Sequence, residues 1–145
     1  MKGKIAVVTG GNRGIGYEVA KALAVEGADV ALVSRNPARG VAAREHLLAA
    51  APSSRITLIP GDLGSVAGVR QLAADLLAHL PRIDLLINNA GVWPTQKEIN
   101  ADGLEMGFMV NFLAPFMLSH LLGERLRASA PARIIHVNAG LYVKG

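Results

Sequence analysis

A glycine-rich turn set between an apolar run and a helix-like one constrains this chain more than any other feature. Ile5-Ala6-Val7-Val8 leads into Thr9-Gly10-Gly11-Asn12-Arg13-Gly14-Ile15-Gly16, and a helical pattern follows from Tyr17 to Val25. Strand, glycine turn and helix N-terminus in that order form the geometry that holds a pyrophosphate. Gly10 suits the tight turn, Gly14 lets the backbone approach a phosphate, and Gly16 lets helix and strand pack. The helix's free N–H groups and positive dipole end then face the anion. The turn predicts a dinucleotide-binding chain.

The rest of the sequence repeats the same alternation. Short runs rich in Val and Ile at 4–8, 29–33, 55–59, 83–87 and 133–137 read as strands, and segments of helical period at 15–26, 38–50, 65–79 and 103–128 separate them. Five strands and four helices in strict alternation predict an α/β domain, a parallel sheet covered on both faces. Gly27, Asn36-Pro37, Pro60-Gly61, Pro81 and Pro131 punctuate these boundaries. Pro115 falls inside the last helical pattern, so that helix is expected to kink or restart there. No internal repeat, low-complexity tract or linker divides residues 1–145, which read as a single dinucleotide-binding domain.

Composition removes several classes of function. The 145 residues are 51% hydrophobic and 18% charged, the balance of a globular chain. With no cysteine there is no disulfide, thiol nucleophile or cysteine-based metal site. Met1-Lys2-Gly3-Lys4 runs directly into the first strand, and every apolar stretch is interrupted before membrane-spanning length. A cytoplasmic protein without membrane contact is the expectation. A net charge of +4 raises the question of nucleic acid, but the basic residues are scattered and only one Trp, two Tyr and three Phe accompany them. No nucleic-acid partner is expected. His46, His79, His120 and His136 fall on separate elements at no metal-ligand spacing, so no metal site is expected either.

The second strand ends Leu32-Val33-Ser34-Arg35-Asn36, where a dinucleotide fold contacts the adenosine ribose. An acid there would bind a 2′-hydroxyl; Arg35 suits a 2′-phosphate, and Arg13 in the glycine turn is placed to reach the same group. Two guanidinium groups with no acid between them point to NADP over NAD, against the plain alternative of two solvated surface arginines. Asp62-Leu63 follows the third strand and Asn88-Asn89-Ala90-Gly91 the fourth, both at strand C-terminal ends where ligands bind in open α/β sheets.

Taken together, Thr9-Gly10-x-x-x-Gly14-Ile15-Gly16, Asp62-Leu63, Asn88-Asn89-Ala90-Gly91 and Asn111 within Met109-Val110-Asn111-Phe112 resemble the short-chain dehydrogenase/reductase family, from Lys4 to about Val137. The stretch from Ala101 through Glu105 to Asn111 is most similar to its retinol-dehydrogenase-like members. The resemblance implies a Rossmann-type sheet in the order 3-2-1-4-5, whereas periodicity alone equally allows a flavodoxin-like order. It implies that the glycine turn with Asn12, Arg13 and Ile15 holds the phosphates, and that Asp62 and Leu63 contact adenine. Asn89, Ala90 and Gly91 would lie against the riboses, and Asn111 would match the family's active-site asparagine. The activity implied is NADP(H)-dependent carbonyl reduction or alcohol oxidation on a small-molecule substrate.

The catalytic end of the pattern departs from the family. The last strand runs into Val137-Asn138-Ala139-Gly140, which places Ala139 where the family carries a catalytic serine. Tyr142 is too close to that strand to be the tyrosine of the family's Tyr-x-x-x-Lys pair, which belongs further along than Gly145. The chain reads as the cofactor-binding portion, lacking the catalytic and substrate segment. A non-catalytic NADP-binding or interaction module and an inert truncation product are the other readings the residues leave open. An apolar strand at the sheet edge also leads us to expect self-association.

Overall fold

The computed structural model of the chain describes residues 1–139. Its strands are β1 (Ile5–Thr9), β2 (Asp29–Ser34), β3 (Ile56–Pro60), β4 (Leu85–Asn88) and β5 (Arg133–His136). They form one parallel sheet in the order β3-β2-β1-β4-β5, with Val7 aligned between Ala31 and Leu86. This is the order that the family resemblance implied, and β1 lying between β2 and β4 rules out the flavodoxin-like alternative.

Alternate residues of the strands face two separate apolar layers, as the two-residue period of a strand requires. Val8, Val30, Leu32 and Ile56 pack with Ala20 and Ala24 of α1 (Gly14–Val25) and with Ala43 and Leu47 of α2 (Pro37–Ala50). Val7, Ala31, Val33 and Ile59 pack with Val69, Leu72 and Leu76 of α3 (Val66–His79) and with Met109, Leu118 and Leu122 further along. Burial on both faces explains why these strands read as near-continuous apolar runs. The helix starts behave as the sequence suggests. Asn36 Oδ1 accepts from Arg39 N at 2.9 Å with Pro37 in the first turn of α2, and Ser65 Oγ accepts from Gly68 N at 3.1 Å at the front of α3.

One expected element is different. Residues 103–128 do not form a single helix: they divide into α4 (Met106–Phe108), a π-helical turn (Met109–Leu113), α5 (Ala114–Leu121) and α6 (Gly123–Ala128). The π turn closes with Ala114 N–H on Met109 O, and Pro115, which has no N–H, follows it at once. The restart expected at Pro115 is found there, with a wider turn in front of it. Asn100 begins the segment as a folded loop, its Oδ1 accepting from Asp102 N and Leu104 N, both at 2.9 Å.

β5 stands at the sheet edge, and Ile134 and Ile135, on its two faces, are 42% and 43% exposed. Among the described residues no helix is long and apolar enough to cross a membrane.

The end of the sheet away from the glycine turn is tied by one carboxylate. Asp84, its side chain 1% exposed, accepts from Arg82 Nε and Nη2 at 2.9 and 2.6 Å, from Lys4 Nζ at 3.0 Å and from Ile5 N at 2.9 Å. Burial pushes this carboxyl up, but the hydrogen bonds from Arg82, Ile5 N and Lys4 outweigh it and hold it below its ordinary value. A carboxyl depressed in the folded state contributes stability above its unfolded value near ~3.9, and the contribution is lost as pH falls through the folded value. Asp84→Asn should therefore cost about 1–3 kcal/mol at neutral pH, allowing for the half-exposed cations. Urea unfolding across pH should show the gap to wild type closing below pH ~4; a gap that persists there would mean that charge is not its source.

Candidate functional site

The C-terminal ends of β1, β2, β3 and β4 surround a cavity of about 370 Å³. Gly10, Asn12, Arg13, Gly14, Ile15 and Gly16 form its floor, and Arg35 and Asn36 form the side after β2. Asp62 and Leu63 enter after β3, and Asn89, Ala90 and Gly91 after β4. The structure thus brings together every cofactor residue expected from the sequence except Ser34. That serine is buried: continuing the parity of Val30 and Leu32, it sits against Gly40 of α2 and its hydroxyl donates to Asn36 O at 2.9 Å. It shapes the turn after β2 and does not line the cavity.

The glycines of the turn are required for two different reasons. Gly10 (φ +64°) and Gly14 (φ +55°) both lie in the left-handed region, where a side chain is strained. A Cβ on Gly14 would meet nothing within 4 Å, so this part of the turn faces open space. Gly16 is enforced by contact instead. Its Cβ would lie 2.3 Å from Asn89 Nδ2 and 2.6 Å from Gly10 O, so it makes room for the loop after β4 as well as for the helix. Arg13 occupies the N-cap of α1 with an extended backbone, no side chain caps the helix, and its first turn carries no acid. The leading N–H groups of α1 are left for a ligand.

Thr9, absent from the expected site residues, holds this arrangement in place. Its buried hydroxyl oxygen accepts from Asn89 N at 3.0 Å and Ala90 N at 3.1 Å, while Asn89 Nδ2 returns to Thr9 O at 3.0 Å. The signal for it was a small hydroxyl at the last strand position before the glycines, where an apolar residue would otherwise continue the run. A second clamp follows two residues on. Asn111, exposed on the π turn, accepts from Val92 N and donates to Val92 O, both at 2.8 Å. Its amide is therefore occupied with the loop after β4, and Asn111 itself stands outside the cavity lining.

The cavity's charge is set by arginine. Arg39, which sequence reasoning missed, joins Arg13 and Arg35 on the lining. Both ion pairs among the described residues are made by Asp84, so none of the three guanidinium groups has an acid partner there. The usable signal was its position, four residues after Arg35 and in the first turn of a helix opened by Asn36-Pro37. Asp62 turns one carboxylate oxygen back to Gly64 N at 3.0 Å. Gly64 is in turn held by Asn100 Nδ2, which donates to Gly64 O at 2.9 Å, and Asp102 caps α3 through Val66 N at 2.8 Å. Glu105, half-buried, accepts from Gly107 N and Phe108 N, and these bonds hold its carboxyl below the ordinary value.

Comparison with known proteins agrees with this geometry. The family model described as short chain dehydrogenase matches residues 4–143. The chain belongs to that family. It is 42% identical over 139 residues to retinol dehydrogenase 11 of Mus musculus, covering 96% of this chain and 44% of that protein. Human retinol dehydrogenase 13 is 38% identical over 143 residues, with 99% of this chain and 43% of that protein covered. The chain thus spans less than half the length of the curated relatives it matches. Among solved structures, Pseudomonas aeruginosa RhlG in a complex with NADP is 36% identical, with a TM-score of 0.79 over 92% of this chain and 54% of that one. L-Sorbose reductase from Gluconobacter frateurii, complexed with NADPH and L-sorbose, superposes with a TM-score of 0.87 at 27% identity, over 99% of this chain and 55% of that one.

Membership sharpens the departures at the catalytic end. Ala139 is exposed just beyond β5 and brings no hydroxyl to the sheet's C-terminal edge. Tyr142 lies outside the described residues. The spacing Tyr-x-x-x-Lys does occur at Tyr17 and Lys21, but on α1, where Tyr17 packs against the layer containing Val8 and Ala20. Among the described residues no three histidine or acidic side chains cluster as a metal site would require.

If the Thr9 hydroxyl is the latch, Thr9→Val should strand two main-chain donors and destabilise the fold by about 2 kcal/mol or more. Thr9→Ser, which keeps the oxygen, should recover most of that loss in thermal unfolding; equal losses in the two variants would assign the effect to packing instead.

Proposed function

We propose that this chain binds NADP(H) in the cavity at the strand ends and forms the cofactor-binding part of an oxidoreductase that interconverts carbonyl and alcohol groups. The observation that carries the reading is the convergence on one cavity of an uncapped α1 N-terminus, an open positive-φ turn at Gly14 and three unpaired arginines. That donor set fits the group. The leading N–H groups and Gly14 would take the pyrophosphate, and Arg13 and Arg35 a 2′-phosphate, with no acid after β2 to claim a 2′-hydroxyl. Asn89 to Gly91, fixed by Thr9, would flank the riboses. Bound there, the cofactor supplies the hydride. The solved relatives in complex with NADP and NADPH support the same cofactor, and the retinol dehydrogenase relatives support an apolar alcohol or aldehyde as the substrate class.

A second reading, a non-catalytic NADP(H)-binding module, is favoured by Ala139. An alanine cannot orient a carbonyl by hydrogen bonding, and Asn111's amide is spent on Val92.

Two measurements test these readings. NADPH should bind at least about tenfold more tightly than NADH, because each charge-assisted contact to the extra phosphate is worth roughly 1.5–3 kcal/mol before solvent screening. Arg35→Asp should abolish that preference, and equal affinity of the unaltered chain for both cofactors would overturn the assignment. In a panel of aldehydes and ketones the 145-residue chain saturated with NADPH should show no turnover. Hydride delivery leaves an alkoxide, and the positioned general acid that would protonate it contributes typically ~10²–10⁴-fold. Robust turnover would mean that a proton donor other than the family's tyrosine serves this chain.

A further inference from the structure

Residues 98–106, leading into α4, close on themselves. Glu98 O accepts from Met106 N and Leu104 O from Asn100 N, both at 2.8 Å, and Ile99 bridges to Glu105. The Asn100 amide is fully engaged there. Its Oδ1 takes the N–H groups of Asp102 and Leu104, while its Nδ2 lies 3.5 Å from Asp102 Oδ2 and reaches out of the closure to Gly64 O at 2.9 Å. Beside it, Asp102 Oδ2 accepts from Val66 N at the start of α3.

The Asn100 bond ends on the loop after β3. Gly64 is buried and both of its main-chain groups are committed, the N–H to Asp62 Oδ1 and the carbonyl to Asn100. A Cβ at Gly64 would lie 3.2 Å from Asp62 Oδ1 and 3.4 Å from Met106 Sδ, so the chain passes tightly between that carboxylate and α4. Leu63 stands between the two bonded residues, and its place on the cavity wall follows from theirs. Further along the same segment, Glu105 caps α4 and the π turn puts Asn111 on Val92. One stretch of chain thus grips the loop after β3 at its start and the loop after β4 at its end.

We propose that Asn100 is a positioning residue for adenine: its Nδ2 bond to Gly64 O sets the Asp62–Leu63 wall and couples that wall to the segment ending at Asn111. The inference rests on the reading in which the cavity takes NADP(H) with its adenine at Asp62 and Leu63. A wall held in place before binding spares the ligand the cost of ordering it. Coupling is reciprocal. A ligand that fixes the wall firms the Asn100 closure by the same factor.

The test is a paired variant, Asn100→Asp with Asp102→Asn. It conserves net charge and keeps an oxygen at each position to accept from the N–H groups of residues 102, 104 and 66, but it removes the donor to Gly64 O. Asp102→Asn alone keeps that donor and should retain adenine binding. NADPH, NADH, 5′-AMP and inorganic pyrophosphate, which has no base, are titrated against each protein. The paired variant should bind the three adenine compounds about 3–10-fold more weakly and pyrophosphate as the unaltered chain does. In the unaltered chain, saturating 5′-AMP should slow hydrogen exchange at the amides of Asp102 and Leu104, and the paired variant should lose this protection. Absence of that protection in the unaltered chain overturns the proposal even where the variant fails to fold. An equal loss for pyrophosphate makes Asn100 structural, and an unchanged affinity for 5′-AMP leaves the bond without a role in binding; either result sinks this inference alone. If the unaltered chain binds neither NADPH nor 5′-AMP, the NADP(H) reading fails with it.

Discussion

The cavity depends on one hydroxyl. Thr9 is the last residue of β1, and its oxygen gathers two consecutive main-chain N–H groups from the loop after β4, some eighty residues away in sequence. Asn89 closes the exchange by donating to Thr9 O. Because the loop is drawn this close, Gly10 comes within 3.0 Å of Ala90 Cα, measured from the Cβ it lacks, and Gly16 has room for no side chain at all. The glycines of the turn are thus consequences of a latch between neighbouring strands as much as adaptations to a phosphate. A partly buried amide–hydroxyl exchange suits this position, since each group left unpaired there would cost about 1–3 kcal/mol.

The two ends of the sheet are held by different chemistry. At the far end Asp84 collects Lys4, Arg82 and the N–H of Ile5, so that cations and carboxylate cancel locally. At the cavity end most fastenings are neutral, Thr9 with Asn89, Asn111 with Val92 and Asn100 with Gly64, and the Asp102 carboxylate accepts from the main-chain N–H of Val66. Even Asp62 directs one oxygen to the main chain of its own turn. Neutral fastening leaves the arginines around the cavity without acid partners, and their field remains available to an anion.

Most of this was legible in the sequence where local chemistry and long-range pairing agree. The strand–turn–helix setting of Gly10 to Gly16 and the alternation of elements appear as expected, because parallel strands buried on both faces leave unmistakable apolar runs, whereas the sheet order came from the family resemblance, since periodicity also allowed a flavodoxin-like order. Arg35 and Asn36 were placed by strand-end logic, but Ser34 was not, since its orientation follows from strand parity and its contact with Gly40, and proximity to a site does not reveal that. Residues 103–128 looked like one helix because their apolar spacing is continuous; the π turn that interrupts it is a one-residue insertion in the hydrogen-bond ladder, which periodicity does not resolve. Thr9 escaped notice because its partners lie across the sheet, and Arg39 because one more arginine on a helix is ordinarily a solvated one.

The groups gathered at the strand ends differ from one side of the sheet to the other. The ends of β1, β2 and β3 bring an uncapped helix, an open turn and cations on three elements to the cavity, and the loop after β4 adds Asn89 to Gly91. At the ends of β4 and β5 the described side chains are Asn88 and His136, 3.4 Å apart, with Ala139 beyond β5. Neither a main-chain N–H nor an amide already bonded to Val92 transfers a proton near neutral pH, whereas a side chain titrating in that range does. The arginines that line the cavity stand in the glycine turn, after β2 and on α2, apart from Asn111 and Val92, so a substitution in one set leaves the hydrogen bonds of the other in place.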